Sequence, residues 1–145
     1  DCAELTSAKL TGADLSNANL TGAGLVVTTL DHATLTDATL DSANLAYANL
    51  SNANLSNATL TSATLNYATL AYANLAHADL TNANLTGADL VGTILDHAIL
   101  TSANLTGADL DHANLTGAKI NGVIVTKAQL ASLGAVNTDT ITGIS

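Results

Sequence analysis

Leucine stands at every fifth position from Leu5 to Leu115 without interruption, twenty-three times, and Ile120, Val125 and Leu130 carry the register on to twenty-six repeats. Two residues before each of these stands alanine, from Ala3 to Ala128, with only Thr28, Thr93 and Val123 departing from the rule. A representative unit is Ala103-Asn104-Leu105-Thr106-Gly107. A period of five fits neither regular element. On an α-helix five residues advance about 500°, so successive leucines fall about 140° apart and draw no stripe. On a straight strand an odd spacing sends every second leucine to the opposite face.

A bent strand accommodates the pattern. Alanine and leucine, two apart, point the same way on a short extended segment, and the residue between them points outward. The outward residue is therefore expected to face solvent and to contribute little to stability. The remaining two residues must turn a corner, so that the next pair again faces inward. Seven of the ten glycines lie at the second corner position, and Asn17, Asn52, Asn57 and Asn82 share it, as turns with φ > 0 require. Tyrosine, histidine and serine hold the slot elsewhere, which predicts more than one turn type. If each corner is a right angle, four repeats close a coil of twenty residues, and twenty-six repeats give about six and a half coils stacked ~4.8 Å apart. The period alone does not fix right angles, and a three-sided coil stays open.

The run Ala-(Asn/Asp/Thr)-Leu followed by two variable residues resembles the pentapeptide repeat family over roughly residues 3 to 130. The resemblance implies an all-β fold, a right-handed quadrilateral β-helix, and supplies both the four sides and the handedness. In its leucine-only core and compactness the chain also resembles the small cyanobacterial members. In such a prism leucine fills the middle, and alanine lets neighbouring strands approach at the corners.

The ends break the pattern. Thr126-Lys127-Ala128-Gln129 reads as a capping box, with Leu130, Leu133 and a stop at Gly134. A short C-terminal capping helix is expected near 127–133, so that residues 1–134 form the repeat domain and 135–145 a non-repeat tail. No cap is legible at the beginning of the chain. Unpaired strand edges recruit other strands, while Glu4, Lys9 and Asp14 place charge around that rim. The expectation is a monomer or a weak end-to-end homodimer of two-fold symmetry.

Composition narrows the chemistry. Phenylalanine, tryptophan and methionine are absent, and a core of one large and one small aliphatic type suits identical layers. Twelve acidic residues against three lysines give a net charge of −9, which argues against direct nucleic-acid binding. An acidic surface serves solubility and can attract a basic partner. Cys2 stands alone, so the chain forms no internal disulfide, and polar residues recur too often for a membrane span. The missing methionine, even at position 1, fits either an exported chain in the periplasm or thylakoid lumen or a trimmed one.

Folding the sequence at twenty residues per coil sets Tyr47 over Tyr67, His77 over His97, and Asp89 over Asp109, with Tyr72 one corner from Tyr67. His77 and His97 fall short of a metal site on this reading, because Asp96 takes a different corner position and points elsewhere. Asp89 and Asp109 would be exposed on a flat side with no cleft to exclude water, so acid–base catalysis has no foothold. Asp-His-Ala recurs at Asp31, Asp96 and Asp111, but no serine completes a triad. No catalytic residue, metal ligand or cofactor site is assigned.

Exposed tyrosines anchor interfaces well. The candidate protein-interaction surface is therefore Tyr47, Tyr67 and Tyr72 with Asp31, Asp89, Asp109 and Asp111. Val26, Val27, Val91, Ile94 and Ile99 occupy outward slots that could add small apolar patches. The expected function is a non-catalytic repeat scaffold presenting flat, stacked surfaces to a protein partner. The resemblance implies an alternative, an acidic DNA mimic that inhibits or protects DNA gyrase, as some family members do. Those members tend to be longer dimers with an aromatic-rich C-terminal interface, which this chain lacks.

Overall fold

The structure, a computed structural model, describes residues 2–132. Leu133, Gly134 and the tail of 135–145, to which the sequence assigns a stop and a non-repeat segment, lie outside the described residues. Twenty-one parallel bridges pair each outward residue with the one twenty positions later, from Glu4 with Gly24 to Asn104 with Ile124. Four repeats thus make one coil, and every strand is reduced to a single bridge. The chain is a β-helix whose only helix among the described residues is α1, Lys127–Ser132.

In the interior coils a repeat with asparagine before its leucine accounts for all five of its N–H groups. In the repeat around Leu55, Asn54 N–H donates to Ala33 O of the preceding coil at 2.9 Å, and Leu55 N–H to Asn74 O of the next at 2.7 Å. Asn57 N–H donates to Ala76 O at 3.0 Å, and Ala58 N–H closes the turn onto Leu55 O at 3.1 Å. The fifth group, Ser56 N–H, faces away from both neighbouring coils and donates to the Asn54 side chain at 3.1 Å. Buried backbone donors must be paired, and here the asparagine completes the set. The same side-chain cap recurs at Asn19, Asn44, Asn49, Asn74, Asn84, Asn104 and Asn114. Asp14, Asp79, Asp89 and Asp109 do likewise.

The corners are uniform. Every second corner residue from Ser7 to Gly122 has φ between +54° and +69°, whether glycine, asparagine, tyrosine, histidine or valine. The first corner residue has none, so all these turns are type II. The expectation of several turn types is thereby corrected. The twenty-residue register admits only one corner geometry, and the stacking enforces it on residues that would avoid it alone. Val27 is the extreme case: a β-branched residue at φ 58°.

Leucines from Leu20 to Leu115, together with Ile120, form a column of fully enclosed side chains between inward-facing alanines. Thr28 and Thr93 enter the alanine position by donating their hydroxyls to Leu5 O at 2.9 Å and Leu70 O at 3.0 Å, one coil back. Two expectations need amendment. Leu5, Leu10 and Leu15 are only partly buried, because no described residue stacks on the first coil. Most outward residues are half-buried rather than exposed, because each is flanked by the side chains of the coils above and below.

At the C-terminal end Thr126 N–H donates to Gln129 Oε1 at 2.9 Å, and Gln129 N–H donates to Thr126 Oγ1 at 3.2 Å, the reciprocal pair of a capping box. Gln129 Nε2 also donates to Leu105 O at 2.6 Å and Ala108 O at 2.9 Å on the preceding coil.

Leu55→Ala is expected to cost about 2–5 kcal/mol, and Leu10→Ala less, since Leu10 is only partly buried. Asn54→Ala should cost about 1 kcal/mol, from the orphaned Ser56 N–H. Equilibrium chemical denaturation checks all three; an Asn54→Ala variant as stable as the parent would remove the capping role. Val27→Asn should raise stability by roughly 1 kcal/mol by relieving the left-handed strain, and an unchanged denaturation midpoint would contradict this.

Candidate functional site

Because each coil repeats the last, the second corner residues form four columns along the axis. One runs Ser7, Val27, Tyr47, Tyr67, Gly87, Gly107, and the next runs Gly12, His32, Asn52, Tyr72, Gly92, His112. Tyr47 and Tyr67 stack with ring centroids 5.3 Å apart and planes 16° apart. On its other side Tyr67 lies flat over Gly87: a Cβ there would fall 2.6 Å from ring atoms Cδ1 and Cε1. Tyr72 lies over Gly92 in the same way, at 2.6 Å. These rings are exposed, at 56%, 54% and 64% for Tyr47, Tyr67 and Tyr72, yet held in place. Aromatic anchors already ordered before binding lose little entropy on contact.

Tyr67 and Tyr72 stand at the two corners of one side of the same coil, with Thr69 between them. Thr69 bridges to Asp89 and Asp89 to Asp109, so that side continues as an acidic ladder. Asp111 follows at the adjoining corner. Asp31 shares that corner but sits four coils away, on the order of 19 Å. It accepts a hydrogen bond from Thr11 Oγ1 at 2.8 Å and does not join the cluster. Val91 adjoins the ladder through its N–H bond to Asp89 Oδ1 at 3.1 Å. Ile94 and Ile99 occupy the next two sides of the coil and leave this face. Tyr47, Tyr67, Tyr72, Asp89, Asp109 and Asp111 thus lie along one side of the helix in successive coils.

The acids are partly structural. Asp109 Oδ1 caps Asp111 N–H at 3.0 Å, as Asp89 caps Val91. Asn49, in the same ladder column, performs this duty without charge, capping Ser51 N–H at 3.0 Å. Like charges directly opposite one another in a ladder are destabilising, so Asp89 over Asp109 is held against a cost that Asn would avoid. Asp14 shows the local effect of such a cap: hydrogen bonds from the Ser16 hydroxyl and then the Ser16 N–H hold its carboxyl below the usual carboxylate range.

Elsewhere His77 and His97 stack with centroids 5.3 Å apart and planes 19° apart. Asp96 does not point away, as its corner position suggested. Its Oδ2 lies 3.0 Å from His97 Nδ1, because the first corner side chain folds back along the turn. Among the described residues no pocket indents the surface, and no helix is long and apolar enough to cross a membrane.

Two features escaped the sequence reading, the side-chain caps and the glycine seats under the rings. Both had a signal. Asparagine or aspartate recurs before leucine, and Tyr67, Tyr72 and His97 are each followed twenty residues later by Gly87, Gly92 and Gly117.

Comparison with known proteins places these features in context. The family model for pentapeptide repeats matches in eight copies across residues 1–37, 25–61, 38–70, 58–96 and 98–131. The chain is similar in structure to Rfr23, a pentapeptide repeat protein from the cyanobacterium Cyanothece 51142, with 37% identity and a TM-score of 0.63 over 64% of each chain. It therefore spans less than two thirds of that protein's length. It is also similar to a pentapeptide repeat protein of the Arabidopsis thaliana thylakoid lumen, with 29% identity and a TM-score of 0.57, over 88% of this chain and 78% of the other. No curated protein sequence matches the chain.

Gly87 and Gly107 share a column and a left-handed φ, +66° and +69°, but nothing lies within 4 Å of a Cβ on Gly107. Gly107→Ala is expected to lose only about 1–2 kcal/mol of backbone preference. Gly87→Ala should lose more and should also swing Tyr67 off its stack with Tyr47. Near-UV circular dichroism of the tyrosines checks this, and an identical spectrum in both variants would show that Gly87 is not the ring's seat.

Proposed function

The chain belongs to the pentapeptide repeat family, and we propose that it is a non-catalytic scaffold whose Tyr67–Tyr72 side receives a basic segment of a protein partner. It is a right-handed β-helix, and proteins of this family are generally non-catalytic repeat proteins. We further read the coil as quadrilateral, with α1 serving as its C-terminal cap and residues 1–134 as one domain. Four type II corners per twenty residues support the first point, and the bonds from Gln129 to Leu105 and Ala108 support the second.

The observation that carries the functional reading is the acidic ladder running from between two fixed tyrosines. Asp89 and Asp109 are stacked where Asn would do the same structural work without repulsion. Charge kept at a cost to stability is best explained by something that binds it. A basic segment gains from Asp89, Asp109 and Asp111, and rigid rings at Tyr67 and Tyr72 give it apolar anchors. A flat surface suits a protein partner better than a small molecule, which needs a concave site to lose its water.

Asp89→Asn and Asp109→Asn should each leave stability unchanged or raise it by about 0.2–1 kcal/mol, while weakening partner binding. A photo-crosslinking residue at Thr69, in a lysate of the source organism, should capture a discrete protein. One at Thr39, on the opposite side, should not. Capture at Thr69 should fall with added salt and in the double Asn variant. Equal capture from both sides, or capture indifferent to the Asn substitutions, would remove the proposed face. Low-micromolar protein is expected to leave gyrase supercoiling unaffected, and inhibition lost in the Asn variants would establish the DNA-mimic alternative instead.

A further inference from the structure

We propose that His77, Asp96 and His97 form a binding site for one divalent transition cation of the Zn²⁺ class, with water completing its coordination. The site lies on a different corner from the tyrosine face and is independent of it. His77 and His97 occupy one column, twenty residues apart, in the left-handed corner conformation at φ 59° and 54°. Stacking of the coils therefore brings two imidazoles side by side with no help from loops. Asp96, the first corner residue of the later repeat, supplies a carboxylate whose Oδ2 is 3.0 Å from His97 Nδ1.

The geometry is close to what such a cation needs. One ligand atom from each of the three residues lies within 4.8 Å of the others. Zinc bonds of 2.0–2.2 Å in a tetrahedron put donor atoms about 3.4 Å apart. The Asp96–His97 pair, at 3.0 Å, must open by a few tenths of an ångström and exchange its direct contact for the shared cation, while His77 turns out of the stack towards them. His77, the ligand that moves, is exposed and free to make the adjustment, and the site is open to solvent, with His97 58% exposed and Asp96 33%. His97 is also steadied from behind, where its ring lies over Gly117, 2.8 Å from where a Cβ would stand. Such support keeps one ligand placed while the other moves.

Two imidazoles and one carboxylate select borderline cations such as Zn²⁺, Co²⁺ and Cu²⁺ over Mg²⁺ and Ca²⁺, which prefer oxygen donors. Three protein ligands with water in the fourth position form a recognised zinc arrangement. The other two Asp-His pairs serve as internal controls. His32 is followed in its column by Asn52, and His112 is preceded by Gly92, so neither has a second imidazole one coil away. Sequence similarity among the three Asp-His-Ala units would make them equivalent, whereas the columns make one of them different.

Titration of the full chain with Co²⁺, followed by absorption and then displacement with Zn²⁺, tests the site. One equivalent should bind in the micromolar range with the intense visible bands of four-coordinate cobalt, and millimolar Mg²⁺ or Ca²⁺ should not compete. His77→Asn and His97→Asn should each weaken binding at least ten-fold, and Asp96→Ser about ten-fold. Asn57 stands natively one coil before His77, and Asn57 and Ser56 stand two coils before His97 and Asp96, so these variants keep residues the corner accepts. Far-ultraviolet circular dichroism verifies their folding. His32→Asn and His112→Asn should change affinity less than two-fold. Binding weaker than millimolar, a stoichiometry other than one, or equal losses from the His32 and His77 variants would overturn the assignment.

Discussion

Everything in this molecule depends on one backbone conformation repeated at every corner. A residue at φ near +60° turns the chain after each leucine, and the next alanine N–H closes onto that leucine's carbonyl. For most residue types this conformation costs of the order of 1–2 kcal/mol, and seventeen residues other than glycine adopt it. No single repeat could sustain that. The cost is offset only when coils stack, because a corner residue then donates its own N–H to the next coil, as Asn57 does to Ala76. Corner strain and inter-coil bonding are therefore one interaction, and the fold forms by layers or not at all.

That coupling explains what could and could not be read from the residues. Leucine and alanine report directly on burial, because a five-residue period fits only a chain that bends between them. The uniform corner was not legible, because tyrosine, serine and valine carry no local preference for φ > 0. Their conformation comes from the coils on either side. The role of Asn54 was hidden for a related reason. It becomes visible only when four of the five N–H groups have been assigned to the ladder and turn, leaving Ser56 N–H over. Asp96 was misjudged because side-chain direction at the first corner depends on a turn type that was itself unresolved. The partly exposed Leu5, Leu10 and Leu15 reflect position along the stack, which a repeat pattern by definition does not encode.

The same layering decides how surface chemistry can arise. On an irregular fold, residues that converge come from anywhere in the sequence. Here the neighbours of a side chain are its own repeat and the residues twenty before and twenty after it. A single substitution can therefore complete a pair within its column, as Tyr67 does over Tyr47 and His97 over His77, or within its own repeat, as Asp96 does beside His97. The same rule ends a stack cleanly. A ring needs a flat seat on its far side, and Gly87, Gly92 and Gly117 provide one where any Cβ would collide.

Columns also offer a way to separate structural residues from functional ones without reference to other sequences. At a given level most positions in a column are interchangeable, so the chain carries its own controls. Asn49 shows what the ladder needs beneath Thr69, and Asp89 and Asp109 show something added to it. Carboxylates in successive coils repel, and the cap they provide does not require their charge. Neutral glycines at Gly87 and Gly92 seat rings that a larger residue would displace, keeping Tyr67 and Tyr72 exposed and ordered beside those charges. Stability alone would favour asparagine in the ladder and no tyrosine at a left-handed corner. The side of the helix where the chain departs from both preferences at once is the side we propose as the binding face.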